Sequence, residues 1–393
     1  MTNNPNQPRE YDAVLGGQAP PPITAAVLGG IKGVKHRFAS TLIEARMTAV
    51  NEALKYGDAG LDLVIKALQD ESAQIQRSAY QLLLNRREPK VKQAIRELKS
   101  WYLVERLQQK LKDPRYCTTF SNRKVNKFTP ETGITETAGI AYVIENYNFD
   151  TLLQDPQASK IEALLFPYIK DLEKHLAVKE RLKNIRALFL HFDTYHIENF
   201  NTNAIVEAYS NLEIMRIFIT NKIEHNHLKH NKLKALIVEG DGLSSEIISQ
   251  ICASELPALN HLELWLPNRS EKNFSVQDLM PIFHRGLFPK LAYLGLCNSE
   301  HSDEIAEAIA YSPEIEFLKV LDLSMGTLTD KGAEVLLNCP AVKQLDILNV
   351  AENYLSDEMI ERLQQLEVQV IANEQKRDTG YRRHCSIPSW IPF

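Results

Sequence analysis

The sequence predicts an α/β solenoid preceded by an all-α module. An apolar pattern, LxxLxL, recurs through the second half of the chain at intervals of 21 to 32 residues, with helix-like segments between its copies. Short apolar segments that alternate with helical ones at a fixed period are typical of repeat proteins. A block nearer the N-terminus instead has apolar residues at three- and four-residue spacing, which indicates amphipathic helices. The 393 residues suffice for two or three domains.

Residues 1–35 are predicted to form an extended, flexible arm. The arm contains the five residues AVLGG twice, separated by QAPPPITA. A phosphate-binding loop needs glycines at GxxxxGK[ST] spacing, or at GxGxxG between a strand and a helix, and neither spacing occurs here. Three consecutive prolines favour polyproline II, and paired glycines permit turns. We therefore interpret the doubled AVLGG as an entry segment and not as a nucleotide site.

Residues 36–113 are predicted to be helical. Leu61, Val64, Ile65 and Leu68 form one apolar stripe, and a second runs from Ile75 to Leu83. Pro89 ends one helix and starts another. The stretch from LVIKALQDESAQIQRSAY to KVKQAI resembles HEAT repeats, which implies an all-α HEAT-like module. Residues 114–150 lack sustained periodicity, and we interpret them as a connector that contains one short hairpin.

Residues 151–371 carry the repeats, and residues 372–393 form a basic, aromatic and proline-bearing C-terminal tail. Each repeat start is followed three and five residues later by further apolar residues. The starts are Ile161, Ile185, Leu212, Leu233, Leu259, Leu291, Leu318 and Leu345. Most of the intervals fall within the 20–29 residues of leucine-rich repeats. The pattern predicts a horseshoe with parallel strands on its concave face and helices on its convex face.

Helix starts are predicted where a hydroxyl residue precedes acidic residues, because such residues cap helix N-termini. The predicted N-caps are Ser244, Ser302, Thr329 and Ser356. Leucine-rich repeats often have Asn eight residues after the start. Among the seven repeats that start from Ile185 to Leu345, only the last has it, at Asn353. The other repeats must therefore hold their turns with other groups.

The segments LPALNHLELWL, LFPKLAYLGLCNSEHSDEIAEAIA and VLDLSMGTLTDKGAEVLLNCPAVKQL resemble a bacterial leucine-rich-repeat family that is often encoded with WGR-domain regulators. The N-terminal DAVLGGQAPPP and EALKYGDAGLDLVIKALQDE resemble a module that precedes several repeat types, WD40 propellers among them. Neither resemblance implies a defined reaction or catalytic residues.

The candidate binding residues lie two, four and six places after each repeat start, because side chains alternate along a strand. We call the surface formed by these three columns the column face. We predict that it binds a partner protein, because exposed aromatic residues mixed with charges are typical of contact hot spots. The alternative is that these side chains are buried against the N-terminal helical block. The proposed partner-binding residues are Phe189, Arg216, Phe218, Glu239, His261, Glu263, Trp265, Tyr293 and Asp322.

Two other clusters are weaker candidates. His225, His227 and His230 could suggest a metal site, but they lie between strands without nearby cysteines, so a solvated loop is the preferred interpretation. His191 and His196 near Asp193 and Cys297 could suggest nucleophilic catalysis, which needs a base held by a third group in a pocket that excludes water. An open sheet does not supply such a pocket, so we predict no catalytic residue, no metal and no cofactor.

The bulk properties favour a soluble cytoplasmic protein. The net charge of −5 disfavours nucleic-acid binding. No apolar run approaches the roughly 20 residues of a membrane span, and the first residues lack the pattern of a secretory signal. Five scattered cysteines indicate reduced thiols. The predicted function is a non-catalytic interaction adaptor or regulatory scaffold. The alternative is an accessory subunit of a protein-modifying or cofactor-attachment complex, acting through the HEAT-like module, and the sequence does not predict an oligomeric state.

Overall fold

The structure is a computed structural model of the chain, which divides into two compact units, Met1–Gln108 and Gln109–Phe393. The described residues are 30–83, 86, 88–91, 94, 117–121, 123–137, 139–169, 176–177, 179–192, 202–219, 227–240, 243–266, 274–284, 286–366 and 368–377. Nearly all of the doubled AVLGG, most of residues 84–116 and most of the tail lie outside the described residues.

In the first unit, residues 89–91 and 94 are helical, and four further helices have described bounds. They are α1 (Gly30–Phe38), α2 (Ile43–Ala53), α3 (Gly57–Ala67) and α4 (Ala73–Leu83). Apolar side chains from all four helices are fully buried, among them Val34, Val50, Val64 and Leu83. Helix α1 begins inside the segment predicted to be extended, so that prediction is wrong for residues 30–35. The helices agree with the predicted helical periodicity, and their HEAT-like character stays a prediction.

The second unit is built on a twelve-stranded sheet whose strands follow one another in chain order. Strand β1 pairs antiparallel with β2, and all later neighbours pair in parallel. The strands are β1 (Thr119–Phe120), β2 (Arg123–Lys127), β3 (Ile140–Val143), β4 (Ala163–Ile169), β5 (Ala187–Phe192), β6 (Ile214–Ile219), β7 (Ala235–Gly240), β8 (His261–Trp265), β9 (Tyr293–Cys297), β10 (Val320–Asp322), β11 (Ile347–Asn349) and β12 (Gln369–Ile371). A sheet of this topology with helices between its parallel strands is an α/β solenoid.

The predicted repeat positions coincide with the strands. Each strand from β4 to β11 begins two residues after a predicted start. The apolar residues at the start and at three and five residues later all belong to one buried core cluster, which also contains residues of the intervening helices, such as Ile248 and Leu336. We call the side of the sheet that carries these residues the leucine face. The helices therefore pack on the leucine face, as the sequence predicted.

The parallel sheet begins earlier than the predicted repeat domain. Strands β1 to β3 lie within residues 114–150, the predicted connector, and β1 and β2 form the hairpin expected there. Strand β3 then pairs in parallel with both β2 and β4. All four residues of β3 are buried, and Tyr142 donates a hydrogen bond of 2.8 Å to the main-chain oxygen of Glu136. This segment is therefore continuous with the repeats.

Helices fill the intervals between the parallel strands. They are α5 (Phe149–Gln154), α6 (Thr202–Ala208), α7 (Ser245–Cys252), α8 (Met280–Phe283), α9 (Ser302–Ala310), α10 (Asp330–Asn338) and α11 (Asp357–Gln364). Short 3-10 helices occupy Leu54–Tyr56, Asn146–Asn148, Ala158–Lys160, Lys179–Leu182, Val276–Leu279, Pro313–Phe317 and Pro340–Gln344. None of the helices in the described ranges combines the length and the apolar composition that a membrane crossing requires.

Three of the four predicted N-caps are confirmed. The side chains of Ser244, Thr329 and Ser356 accept hydrogen bonds from the main-chain N–H groups of the first turns of α7, α10 and α11. The prediction for Ser302 is wrong, because the N-cap of α9 is His301. The Ser302 hydroxyl instead donates to the main-chain oxygen of Ser299 and accepts from the N–H of Thr327. It thus links two adjacent repeats.

The turns after the last strands depend on amide side chains. Asn353 is fully buried, and its Nδ2 donates to the main-chain oxygens of Leu323, Val350 and Ala351 at 2.9–3.1 Å. Its Oδ1 accepts from the N–H of Leu328 at 3.0 Å. This one asparagine satisfies main-chain groups of two consecutive repeats, so it ties their turns together.

Gln375 repeats this role one turn later. Its Nε2 donates to the main-chain oxygens of Val350 and Ala372, and its Oε1 accepts from the N–H of Leu355. The repeat pattern in the sequence did not predict this role for Gln375, because no recognisable LxxLxL start precedes β12. The repeat architecture therefore continues to at least Gln375, a few residues into the predicted tail.

Candidate functional site

The column face is confirmed as a set of registered columns. Pairing between neighbouring strands aligns Ala187, Ile214, Ala235, His261, Tyr293, Val320 and Ile347 in the first column. The second column aligns Phe189, Arg216, Ile237, Glu263, Gly295, Asp322 and Asn349. None of these residues belongs to the core cluster of the leucine face. The other three proposed residues, Phe218, Glu239 and Trp265, lie two positions further along their strands, so all nine share one side of the sheet.

The expected exposure of this face is wrong. Arg216 is 5% exposed, and the other eight proposed residues are 0–1% exposed. They agree in this respect with the alternative expectation that the column-face side chains are buried. Buried charged groups need ion pairs or hydrogen bonds, so their contacts decide what the face can do.

At β6 and β7 the face contains a buried ion pair. The Nε of Arg216 donates to Oε2 of Glu239 at 2.9 Å, and the two side chains are 6% and 0% exposed. The same guanidinium lies over the ring of Phe189, 4.8 Å from its centroid, in a cation–π contact. The Nη2 of Arg216 is buried, and it has no hydrogen-bond partner among the residues that the structure describes. A buried guanidinium nitrogen in this state can donate a hydrogen bond to an oxygen atom of a ligand.

At β8 to β10 the face contains a hydrogen-bonded network of acids and aromatic residues. The Tyr293 hydroxyl donates to Oδ2 of Asp322 at 2.7 Å and lies 3.5 Å from Oε2 of Glu263. The Trp265 Nε1–H donates to Oε1 of Glu263 at 2.9 Å. The His261 ring stacks on the Tyr293 ring with centroids 3.7 Å apart. The aromatic side chains are therefore held in fixed positions by two buried carboxylates.

Glycine at position 295 makes this network possible. Gly295 lies between Glu263 and Asp322 in the strand register. A Cβ at this position would be 2.9 Å from Cγ of Glu263 and 3.0 Å from Cε1 of Tyr293. The absence of a side chain therefore lets Tyr293 reach both carboxylates from the middle strand. Sequence reasoning placed Gly295 in the column but assigned it no role.

Asp322 also accepts hydrogen bonds from Ser324, two residues further along the chain. Its Oδ1 accepts from the main-chain N–H of Ser324 at 3.0 Å and from the Ser324 hydroxyl at 2.7 Å. The Cys297 sulfur lies 3.6 Å from the same oxygen. Burial, followed by the nearby charges of Asp322 and Glu263, raises the pKa of Tyr293 well above its usual value, so the phenol stays protonated as a donor at neutral pH.

The described histidines and Cys297, which the sequence offered as catalytic or metal-binding candidates, do not form a common site. His191 makes an edge-to-face contact with Phe218, whereas Cys297 is buried beside Asp322. His230 is buried and lies 3.3 Å from the main-chain oxygen of Tyr209, while His227 is exposed. His196 and His225 lie outside the described residues. Across the described ranges, no group of three or more His, Cys, Asp or Glu side chains is arranged to hold a metal ion.

A charged row at the other end of the strands was not predicted. Glu213, one residue after a repeat start, accepts hydrogen bonds from Arg186 and from Lys234 at the equivalent positions of the flanking repeats. Burial raises the pKa of Glu213, but the hydrogen bonds from Lys234 and Arg186 outweigh it and leave the pKa below its usual value. This row could have been predicted from the sequence, because Arg186, Glu213 and Lys234 each follow a repeat start by one residue and alternate in charge.

The fold and the column face together define the class of protein: an α/β solenoid with a built polar and aromatic network on the sheet face opposite the helices. This class is defined by architecture, and fold alone does not specify an activity.

Comparison with known structures agrees with this fold. A crystal structure of a Bacteroides fragilis protein, a structural genomics target, is 24% identical to this chain, covers 60% of it and 71% of its own length, and superposes with a TM-score of 0.54. An internalin from Listeria monocytogenes aligns over 61% of this chain and 74% of its own length at 13% identity, with a TM-score of 0.29 that is too low to support an argument. No protein-family model matches the chain, and no curated protein matches its sequence.

Proposed function

We propose that the protein is a non-catalytic interaction scaffold that binds a partner protein on the column face. The observation that carries the proposal is the network of Trp265, Glu263, Tyr293 and Asp322, which fixes large aromatic groups beside charges on a rigid sheet. Aromatic residues and arginine dominate binding energy at protein interfaces. A face whose side chains are already ordered loses little conformational entropy on binding.

The buried state of the face adds a condition to this proposal. All nine proposed residues are at most 5% exposed. A partner can therefore bind only when the column face becomes accessible to it. In the proposed mechanism, contacts that bury these side chains within the chain are replaced by contacts with the partner. The unsatisfied Nη2 of Arg216 supports this exchange, because a partner oxygen would complete its hydrogen bonding.

The regulatory and cellular parts of the proposal rest on the sequence resemblance and on the cysteines. The resemblance to bacterial repeat proteins encoded with WGR-domain regulators favours a partner in a regulatory system. The four described free cysteines, Cys117, Cys252, Cys297 and Cys339, favour a reducing compartment such as the cytoplasm. The separate placement of His191 and Cys297 supports a role without catalysis.

The test is a comparative affinity purification of the intact protein from its own cells. The column-face variant combines Glu239→Gln, Glu263→Gln and Asp322→Asn, which removes charge while keeping side-chain shape. The matched control combines Glu304→Gln, Glu307→Gln and Glu361→Gln, which changes exposed acids on the helices by the same charge. Circular dichroism first checks that both variants remain folded.

We expect a stoichiometric partner with the wild type and the control, reduced at least about tenfold with the column-face variant, as a loss of roughly 1.4 kcal/mol or more would give. A partner retained equally by all three proteins would move the binding site off this face. A wild-type chain that retains no protein at all would contradict the scaffold function.

A second candidate is an accessory role for the helical unit. Leu42 is 68% exposed and Ile43 is 44% exposed, both at the start of α2. Adjacent exposed apolar side chains favour a contact with another protein. Leu42→Ser/Ile43→Ser would abolish co-purification of a second subunit if this candidate is correct and would leave column-face binding unchanged.

A further inference from the structure

We propose that β12 forms the contact of a symmetric dimer, in which its outer edge pairs antiparallel with β12 of a second copy of this chain. The contact uses the edge of the sheet and not the column face, so it does not rest on the proposed function. The direction of the main-chain groups, the exposure of the side chains and a self-complementary residue pattern support this contact.

The main-chain groups of β12 point alternately toward β11 and toward the edge of the sheet. The N–H of Gln369 donates to the oxygen of Asp346 at 3.2 Å, and the oxygen of Ile371 accepts from the N–H of Val350 at 2.8 Å. Because these groups change direction from one residue to the next along a strand, the N–H and the oxygen of Val370 point away from β11. Strand β12 is the last of the described sheet, so no described strand lies on that side.

The side chains of β12 are less buried than those of its neighbour. On β11, Ile347, Leu348 and Asn349 are 1%, 0% and 4% exposed. The three residues in register with them on β12 are all half-buried. Both strands are three residues long, so the difference follows from the position of β12 at the end of the described sheet. The outer edge of β12 is therefore accessible to another strand.

The residues of this edge favour pairing. Soluble proteins protect the edges of their sheets with charged side chains, prolines or bulges. Residues 368–372, Val-Gln-Val-Ile-Ala, contain neither a charge nor a proline. Terminal repeats of solenoids need a polar outer face for solubility, whereas Val370 and Ala372 are apolar and only partly buried against the core. A second strand would remove this apolar surface from water.

The pattern of the edge fits a second copy of the same strand. In an antiparallel pair, two residues directly opposite each other can exchange both of their N–H···O bonds. A two-fold axis beside Val370 would bring its outward-pointing N–H and oxygen onto those of Val370 in the second copy. The same axis would place Val368 opposite Ala372, and all three residues contact the core of the leucine face. Apolar side chains would therefore meet apolar side chains across a closed, isologous contact.

The first test is sedimentation velocity of the full-length chain. We expect the wild type to form a dimer in concentration-dependent equilibrium with the monomer. Val370→Lys places two ammonium groups opposite each other at the axis, and it should weaken dimerisation at least about tenfold because like charges at an interface repel. The control Ala308→Lys adds the same charge at a half-buried position of α9 and should dimerise as the wild type does. Circular dichroism checks that both variants are folded.

A mixture of two variants tests the two-fold axis itself. Val370→Lys and Val370→Glu should each be monomeric alone, because identical charges would meet at the axis. An equal mixture of the two should recover the dimer, since position 370 of one copy meets position 370 of the other only across this axis. Recovery would also show that both variants are folded.

Cross-linking gives an independent measurement. Residues that form a hydrogen-bonded antiparallel pair have Cα atoms about 5.5 Å apart, a separation that a disulfide can span. Mild oxidation should therefore cross-link Val370→Cys into a dimer faster than the wild type, whose own cysteines give the background rate. It should also cross-link faster than Gln369→Cys, because position 369 lies opposite position 371 of the second copy.

A wild type that stays monomeric at every concentration would overturn the inference. So would a Val370→Lys variant that dimerises as tightly as the wild type, a mixture that stays monomeric, or a Val370→Cys variant that cross-links only at the background rate. These measurements contain no partner protein, so each outcome leaves the proposed binding on the column face to its own test.

Discussion

The leucine face and the column face belong to the same strands, yet they follow different rules. Every repeat from β4 to β11 places its three pattern residues in one apolar core. On the other side of the same strands, neighbouring positions change from Phe189 to Arg216 and from Glu263 to Gly295. The leucine face is uniform because each repeat must bury the same kind of surface against its neighbours. The column face does not pack between repeats in this way, so its side chains can differ from one strand to the next.

This difference separates the energetic roles of the two faces. The leucine face gains stability from apolar burial and close packing, which depend on volume. The column face buries carboxylates and a guanidinium, whose desolvation offsets much of their attraction. We therefore expect substitutions of similar size to lower the free energy of unfolding more on the leucine face, and three variants test the comparison.

The largest effect is expected from Leu321→Ala on β10. Leu321 is 0% exposed and lies in register with Leu294 and Leu348. Its truncation leaves a cavity and should lower the free energy of unfolding by about 3–4 kcal/mol in urea titrations followed by circular dichroism. Leu337→Ala, at a half-buried position of α10, is the control and should cost about 1 kcal/mol. Equal losses would show that the leucine face is not the main source of stability.

A smaller effect is expected from Arg216→Ala on the column face. This variant removes the guanidinium that lies 2.9 Å from Oε2 of the buried Glu239. It should lower the free energy of unfolding by about 2–3 kcal/mol, because the buried carboxylate loses one of its hydrogen-bond partners. Replacing both partners, in Arg216→Met/Glu239→Gln, should restore stability to within about 1 kcal/mol of the wild type. A double variant as unstable as the single one would contradict the view that desolvation nearly cancels the attraction.

The smallest effect is expected from Gly295→Ala. The new Cβ would lie 2.9 Å from Cγ of Glu263, so the flexible Glu263 side chain must shift. We expect a loss of about 1–2 kcal/mol, typical of overpacking, together with a change in the fluorescence of Trp265, which donates to Glu263. An unchanged emission spectrum would mean that the network accommodates the methyl group without moving.

The backbone of the repeat unit could be predicted in detail from the sequence. The starts located strands β4 to β11, and alternation then located the three columns. Ser244, Thr329 and Ser356 were found as N-caps because capping is a local interaction. Strands β3 and β12 were missed, because strands at the ends of the solenoid have neighbours that differ from those of the interior repeats.

The chemistry of the site could be predicted only in part. The sequence placed Glu263 and Asp322 in one column and Tyr293 in the next, but it did not predict their shared hydrogen bonds, because these depend on rotamers and on the space above Gly295. Sequence reasoning also expected an exposed face. Exposure depends on segments far away along the chain, and periodicity within a repeat carries no information about them.

What the sequence determined by itself is the repeat: its period, its apolar core and the side of the sheet on which each residue lies, because backbone alternation and burial act within about 30 residues. The tertiary structure alone decided that Arg216 pairs with Glu239, that Tyr293 bridges two carboxylates across Gly295 and that the nine proposed residues of the column face are shielded from water. These features arise from contacts between side chains of different repeats. Such contacts form only after the strands are placed side by side, and no local pattern in the sequence encodes them.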